Sequence, residues 1–417
     1  MRRWLPKSQF GRDVLTLMTG TAAASVIPLL AQPILSRLYR PEHWGPMGVF
    51  EATFSILGIL ATGRYEQGIV LPEDDQSAAA LVRLSVRVNV ILTACVALLA
   101  TLVWLARDGQ LRTWVLWVPL AVFSTGLYQT LTFWAIRRRA FPQLAASRFV
   151  RQLMVVALWM AFGLLSFGAL GLILGLVVGQ LLGTLALAWQ IWRTDRPIFV
   201  LASRADERAV AQRYADFPKY SLASGLLNAL AQGLPRFFLY GTFGERGAGN
   251  FTFAQKVAIA PLGALGATFA DVFKQQAAEQ MQRHGNCLPI WRATFRRLVK
   301  FAIIPTLVLT IAAPWIFSVV FGPEYREAGV LTQIMGPYAC LMLLASPLSR
   351  TLIVTENQRL DMFWQIALVL VTGTALAIGT ARHDLRLAVI LFSAGYAALY
   401  VVYLRLSYKL AGNPSAR

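Results

Sequence analysis

The sequence predicts an all-α, polytopic membrane protein with about twelve transmembrane helices in two lobes of six. Three observations carry that expectation. Of 417 residues, 57% are hydrophobic and only 14% charged, where a soluble domain carries about 25% charged. Apolar runs of roughly 20 residues, enough to cross about 30 Å of hydrocarbon, recur from end to end. The basic residues gather at the ends of alternate runs, as cytoplasmic segments of membrane proteins do.

Taken in order, the spans are expected at 13–36, 47–70, 78–106, 113–136, 148–167 and 170–192, then 217–241, 250–272, 293–320, 328–352, 362–381 and 387–410. The first could be confused with a cleaved secretory signal, because basic residues precede an apolar stretch containing Ala22-Ala23-Ala24. The stretch before those alanines is short and interrupted by polar residues, and the hydrophobic pattern continues to Leu35, so an uncleaved span is expected. The third and ninth are long enough to tilt. The longest connection, 193–216, is polar and charged; it divides the chain into an N-terminal lobe, 1–192, and a C-terminal lobe, 217–417. A shift of 201 residues aligns Leu38-Tyr39 with Leu239-Tyr240, Gly48 with Gly249 and Phe50 with Phe251, the pattern of a duplicated bundle. Prolines fall inside the expected spans at 28, 33, 119, 235, 261, 305, 314, 337 and 347. They read either as ordinary kinks or as joints that let helices flex around a wet cavity.

Charge placement sets the orientation. With the N-terminus in the cytoplasm, 28 of the 39 Lys and Arg lie on the inner side and eight on the outer. Both termini are then cytoplasmic, which requires an even number of spans. The net charge of +19 is spread over span ends rather than over one soluble face, so no nucleic-acid partner is expected.

Cys95, Cys287 and Cys340 are scattered and odd in number, and His43, His284 and His383 form no ligand cluster, so neither disulfide nor metal is expected. No glycine-rich phosphate loop with its lysine occurs, and no cofactor is implied. Every expected external loop is short, which leaves no segment for a glycan polymerase to carry its chemistry. The chain reads as a non-enzyme.

The ionisable residues at membrane depth are few: Glu51, Arg64 and Glu66 in the second span, Arg236 in the seventh, and Lys256 and Asp271 in the eighth. Each costs a few kcal/mol on insertion scales and normally faces a bundle interior. On a continuous helix, Arg64 and Glu66 cannot pair, whereas Glu51 and Glu66 lie about 60° apart on one acidic side. Arg64 would sit about 12 Å above Pro72, too deep to snorkel comfortably. Two readings fit. Arg64, Arg236 and Lys256 line a cationic central cavity suited to phosphate, with Glu51, Glu66 and Asp271 balancing charge or coupling to an ion. Alternatively, the six form interhelical ion pairs that only hold the bundle together.

Five separated stretches carry a resemblance: LSRLYRPEHWGPMGVF (35–50), ATGRYEQGIVLPEDDQSAAALVRLS (61–85), YADFPKYSLASGLLNALAQGLP (214–235), GAGNFTFAQKVAIAPLGALGATFADVFKQQAAE (247–279) and VFGPEYREAGVLTQIMGPYACLMLLASPLSRTLIVTENQR (320–359). Together they resemble the bacterial polysaccharide transporter family, the Wzx-type flippases of lipid-linked oligosaccharides. These belong to the multidrug/oligosaccharidyl-lipid/polysaccharide exporter superfamily. The resemblance implies two six-helix lobes facing a central cavity and alternating access. It also implies an undecaprenyl-diphosphate-linked oligosaccharide, an O-antigen or other surface polysaccharide unit, moved from the cytoplasmic to the periplasmic leaflet of the bacterial inner membrane. A polysaccharide polymerase and chain-length proteins would be further partners. Arg64 falls in the family-like RYE segment and Lys256 in the AQKV segment. Arg236 stands where the family would carry an apolar residue, either a substrate-specific addition or a private ion-pair partner. The competing readings are a small-molecule or multidrug antiporter of the same superfamily and a membrane glycan polymerase.

Overall fold

The computed structural model describes residues 26–412 apart from 107–108, 202 and 356. The basic tail residues Arg2, Arg3, Lys7 and Arg12 and the first half of the first expected span lie outside the described residues. Every regular element among those described is helical. The helices are, in order, α1 (Val26–Leu38), α2 (Pro41–Leu60), α3 (Asp75–Ala106), α4 (Gln110–Trp114), α5 (Val118–Arg137), α6 (Phe141–Leu164) and α7 (Gly168–Leu201). After the short α8 (Arg204–Arg213) come α9 (Leu222–Ala254), α10 (Ala260–His284), α11 (Leu288–Leu307) and α12 (Ala313–Phe321). The last are α13 (Arg326–Leu348), α14 (Thr351–Val354), α15 (Gln358–Ala381) and α16 (Leu385–Gly412).

Nine helices among the described residues are long and apolar enough to cross a membrane, against the expected count of about twelve. One continuous stretch, Phe217–His284, covers two expected spans. Its helix α9 bends at Gly244, whose φ of 66° and ψ of −163° only glycine adopts without strain. The second expected span also differs: α2 stops at Leu60, and the chain then turns into a 3₁₀ helix over Tyr65–Val70. Pro119, Pro261 and Pro314 lie inside the continuous helical stretches Leu111–Arg137, Phe217–His284 and Leu288–Phe321, as expected, each just after a short 3₁₀ or π segment. Next to prolines the helices widen into π turns at Phe217–Ser221, Gln255–Ile259 and Val308–Ala312. Such turns absorb the hydrogen bond a proline cannot donate.

Contacts divide the chain into two compact units. One holds Val49–Gly233 with the chain up to Ala31; the other holds Gln32–Gly48 with Leu234 onward. In the first unit α6 and α7 form a hairpin closed by Gly175, Gly179 and Gly183. A Cβ on Gly179 would lie 2.7 Å from the backbone of Val155. Small residues every four positions let two helix backbones meet, the main source of packing energy where lipid is as apolar as leucine. Trp134, fully buried in this unit's core, donates from Nε1 to Asp195 at 2.8 Å, and Arg138 pairs with the same carboxylate at 3.3 Å. Arg137 reaches from α5 to Asp75 at 2.9 Å and to the carbonyl oxygen of Glu73. It thereby fixes the stretch that follows the 3₁₀ helix.

The second unit is built on aromatic rings. Trp44, Phe253, Phe321 and Tyr325 pack edge to face or tilted, with Phe253 and Tyr325 centroids 4.2 Å apart. Trp44 Nε1 donates to Tyr325 Oη at 3.1 Å, and that hydroxyl donates in turn to the carbonyl of Tyr39. Glycine makes the approach possible: Gly249 lies directly against the carbonyl of Pro41, and Gly48 against Thr252. The repeat-related pair Gly48 and Gly249 therefore occupies one helix contact.

Candidate functional site

The Arg64 turn sets two consecutive residues in left-handed backbone. Gly63 and Arg64 both have positive φ, 60° and 64°. The left-handed conformation costs a non-glycine residue roughly 1–2 kcal/mol, so the surrounding structure holds Arg64 in place. This turn overturns the expectation that Arg64 and Glu66 cannot pair. That argument assumed a continuous α-helix. With α2 ended and the chain reversed through 61–64, Arg64 Nη1 lies 3.9 Å from Glu66 Oε1. The wheel that placed Glu51 beside Glu66 fails for the same reason.

Glu66 is 1% exposed, and Thr62 Oγ1 donates a short hydrogen bond to its Oε2. Arg64 is 19% exposed. Its guanidinium lies flat against α9 at Gly225, where any Cβ would overlap it. Its Nε is buried without a hydrogen-bond partner. At 3.9 Å the ion pair with Glu66 is too long to be a hydrogen bond. Arg64 is thus a constrained cation with unused donor capacity, and a phosphate oxygen suits that fork geometry. Glu51, the third expected residue of this unit, is half-buried on α2.

The other expected residues belong to the second unit. Arg236 follows Pro235 on α9, half-buried, with a buried Nε that has no partner and no ion pair among the described residues. Tyr338, on α13, packs against Phe392 and Tyr396 at 5.7 and 5.5 Å. Lys256 is half-buried within the π turn Gln255–Ile259. Asp271 falls on α10, but its side chain lies outside the described residues.

Three features escaped the sequence reading. Gly225 and Thr62 complete the Arg64 turn, and no spacing rule links them to it. Arg151, within α6, stacks 4.2 Å over the Tyr128 ring. Among the described residues no group of three His, Cys, Asp or Glu could hold a metal.

Comparison with known proteins adds the following. Residues 34–329 match the model of a family described as "Polysaccharide biosynthesis protein". No protein of curated function matches the chain. Among solved structures, the chain resembles an inward-facing multidrug resistance MATE family transporter of the MOP superfamily, at 14% identity and a TM-score of 0.66, over 95% of this chain and 94% of that one. The outward-facing conformation of a MATE family transporter gives 12%, 0.61 and 97% of each chain. A MOP superfamily transporter from Pyrococcus furiosus, described as having a binding pocket of reversed polarity that suggests a different function, gives 13%, 0.64, and 96% and 95%. At these identities the likeness shows the fold alone.

Proposed function

Since this chain belongs to the polysaccharide biosynthesis protein family, we propose that it is a flippase for an undecaprenyl-diphosphate-linked oligosaccharide. It carries an O-antigen or other surface polysaccharide unit from the cytoplasmic to the periplasmic leaflet by alternating access. In this reading the protein sits in the bacterial inner membrane with both termini in the cytoplasm. Its lobes, 1–192 and 217–417, are joined by the largely helical connection 193–216, and a polymerase and chain-length proteins act on what it delivers.

The observation that supports this reading is Arg64: a guanidinium held in a strained turn, its Nε unpartnered and its carboxylate neighbour beyond hydrogen-bond reach. Placing such a charge at membrane depth costs about 3 kcal/mol, and a scaffold pair would recover that through a short contact. A diphosphate would replace the 3.9 Å contact with paired, charge-assisted hydrogen bonds of about 2.8 Å. Arg236 and Lys256 add positive charge for the same group. Glu66, held by Thr62, balances charge with Glu51 and Asp271 when the anion leaves.

Pocket polarity also bears on the choice of cargo. The Pyrococcus furiosus transporter is described as differing in that property, and three of this chain's six ionisable residues expected at membrane depth are cations. A multidrug antiporter selecting cationic drugs would favour the opposite balance.

Reconstitution into proteoliposomes with a fluorescent undecaprenyl-diphosphate glycan tests the proposal. The wild type is expected to expose the label to the opposite leaflet, and Arg64→Gln to slow that transfer at least tenfold at equal protein content. Transfer by Arg64→Gln at the wild-type rate removes the diphosphate role. Uptake of cationic dyes with no lipid transfer replaces the flippase by the antiporter.

A further inference from the structure

The first unit holds an open cavity of about 540 Å³ that the transport reading does not use. This volume lies within the roughly 300–1,000 Å³ of small-molecule sites. Its walls come from α3, α5 and α7 and are almost wholly apolar, with Leu131, Ile191 and Phe199 among them. Three charged residues line it as well: Arg83 and Arg87 from α3 and Glu207 from α8. Glu207 is 2% exposed and takes Arg83 Nε at 3.1 Å and Arg87 Nη1 at 2.6 Å, while the two arginines are 37% and 44% exposed. The lining therefore carries two guanidiniums and one carboxylate, a net positive charge set into hydrocarbon walls.

The depth of the site follows from its aromatic wall. Trp192 lines the cavity and is 52% exposed, with the Arg196 guanidinium 5.8 Å from its ring. One turn earlier, Trp189 is 60% exposed under Arg193 at 4.7 Å. Exposed tryptophans capped by arginines mark the boundary between acyl chains and headgroups. A pocket at that boundary, apolar inside and cationic beside it, has the shape and charge of an amphiphile's counterpart.

We propose that this cavity binds a phospholipid with an anionic headgroup, one acyl chain between α3, α5 and α7 and its phosphate on Arg83 and Arg87. The site stands apart from Arg64 and does not depend on the identity of the cargo. A bound lipid would also tie α8 to the helix bundle, because Glu207 already joins α8 to both arginines.

The experiment is native mass spectrometry of the full chain with equimolar phosphatidylglycerol and phosphatidylcholine of identical acyl chains. Wild-type protein is expected to retain phosphatidylglycerol about tenfold over phosphatidylcholine, a modest gain for charge-assisted contacts. Arg87→Gln should bring the ratio close to parity. Val86→Trp, which fills the cavity without touching a charge, should lower retention of both lipids at least fivefold. Equal retention of the two lipids by the wild type overturns the proposal, and so does undiminished retention of phosphatidylglycerol by Val86→Trp. Where Arg87→Gln leaves Glu207 short of partners and the protein misfolds, Val86→Trp decides alone. Displacement of bound phosphatidylglycerol by soluble glycerol phosphate would mark a phosphate site without a lipid chain and equally overturn it.

Discussion

The Tyr325 hub of the second unit is buried and the Arg64 turn of the first largely so, and both rest on glycine, yet they are finished differently. At the hub, the Trp44 indole donates to Tyr325 and the Tyr325 hydroxyl donates to the Tyr39 carbonyl, so each polar group has its partner. At the turn, a residue held in the left-handed region presents a guanidinium whose Nε has none. An unsatisfied buried donor costs about 1–3 kcal/mol, and evolution removes such costs unless something repays them. In the proposed transport reading the difference separates scaffold from site: a closed set of partners holds the fold together, and the open one at Arg64 receives the diphosphate.

The largest effect expected from this contrast is at the hub. Trp44→Ala removes a fully buried ring packed against Phe253 and leaves Tyr325 without its donor. It should cost about 3–5 kcal/mol, read as a fall in the thermal or denaturant midpoint of the purified protein. Transport per folded molecule should stay near normal. A Trp44→Ala protein that kept its stability but stopped transporting would reverse the assignment of the two regions.

The next effect is at the turn, where the prediction is the mirror image. Gly225→Ala places a methyl group where the Arg64 guanidinium now lies. The far end of a flexible side chain yields more easily than backbone, so the guanidinium moves and the fold survives. Transport is expected to drop several-fold with a stability change below about 1 kcal/mol, within the range of a tolerated substitution. Coupling gives the sharper reading. Added to Arg64→Gln, Gly225→Ala should cause no further loss, because both act through one group. Additive losses would mean that Gly225 acts elsewhere on α9.

Much of this architecture was legible in the sequence, and what was missed has local physical causes. Run lengths located the membrane helices because burying apolar length is a one-dimensional requirement. Basic residues at span ends were visible too, although Arg137 and Arg138 also serve as partners of Asp75 and Asp195. The Arg64 turn was hidden because Ala61-Thr62-Gly63 reads as helix by composition, even though a glycine after an apolar helix is the usual signal for its end. The repeat match between Gly48 and Gly249 was visible, but its reason was not. Their shared need for a missing Cβ appears only once α2 and α9 meet. Gly225 carries no signal at all, since its role is to leave room for a side chain some 160 residues earlier in the chain.

The smallest effect tests whether satisfied partners suffice, or whether burial is also needed, for a region to act as scaffold. The N-terminus of α8 has every partner the hub has, but in water. Ser203 N and Oγ both donate to Asp206 Oδ2 at 2.8 Å, Asp206 N donates to Ser203 Oγ at 3.2 Å, and Gln76 Nε2 donates to the same carboxylate. The Ser203 backbone N–H, with the Gln76 amide and the Ser203 hydroxyl, holds the Asp206 carboxyl below the usual carboxylate range. A group with a depressed folded pKa contributes its full stability above its unfolded value of about 3.9 and loses it as pH falls through the folded value. Amide exchange over α8 should therefore be flat from about pH 7 to pH 5, after correction for intrinsic rates, and should accelerate only below about pH 4. Ser203→Ala should speed exchange there about fivefold at neutral pH, the size of one lost helix cap. It should leave the thermal midpoint of the whole protein unmoved. A global shift in that midpoint would show that a fully partnered but exposed cap can serve as scaffold, and burial would then drop out of what distinguishes the hub.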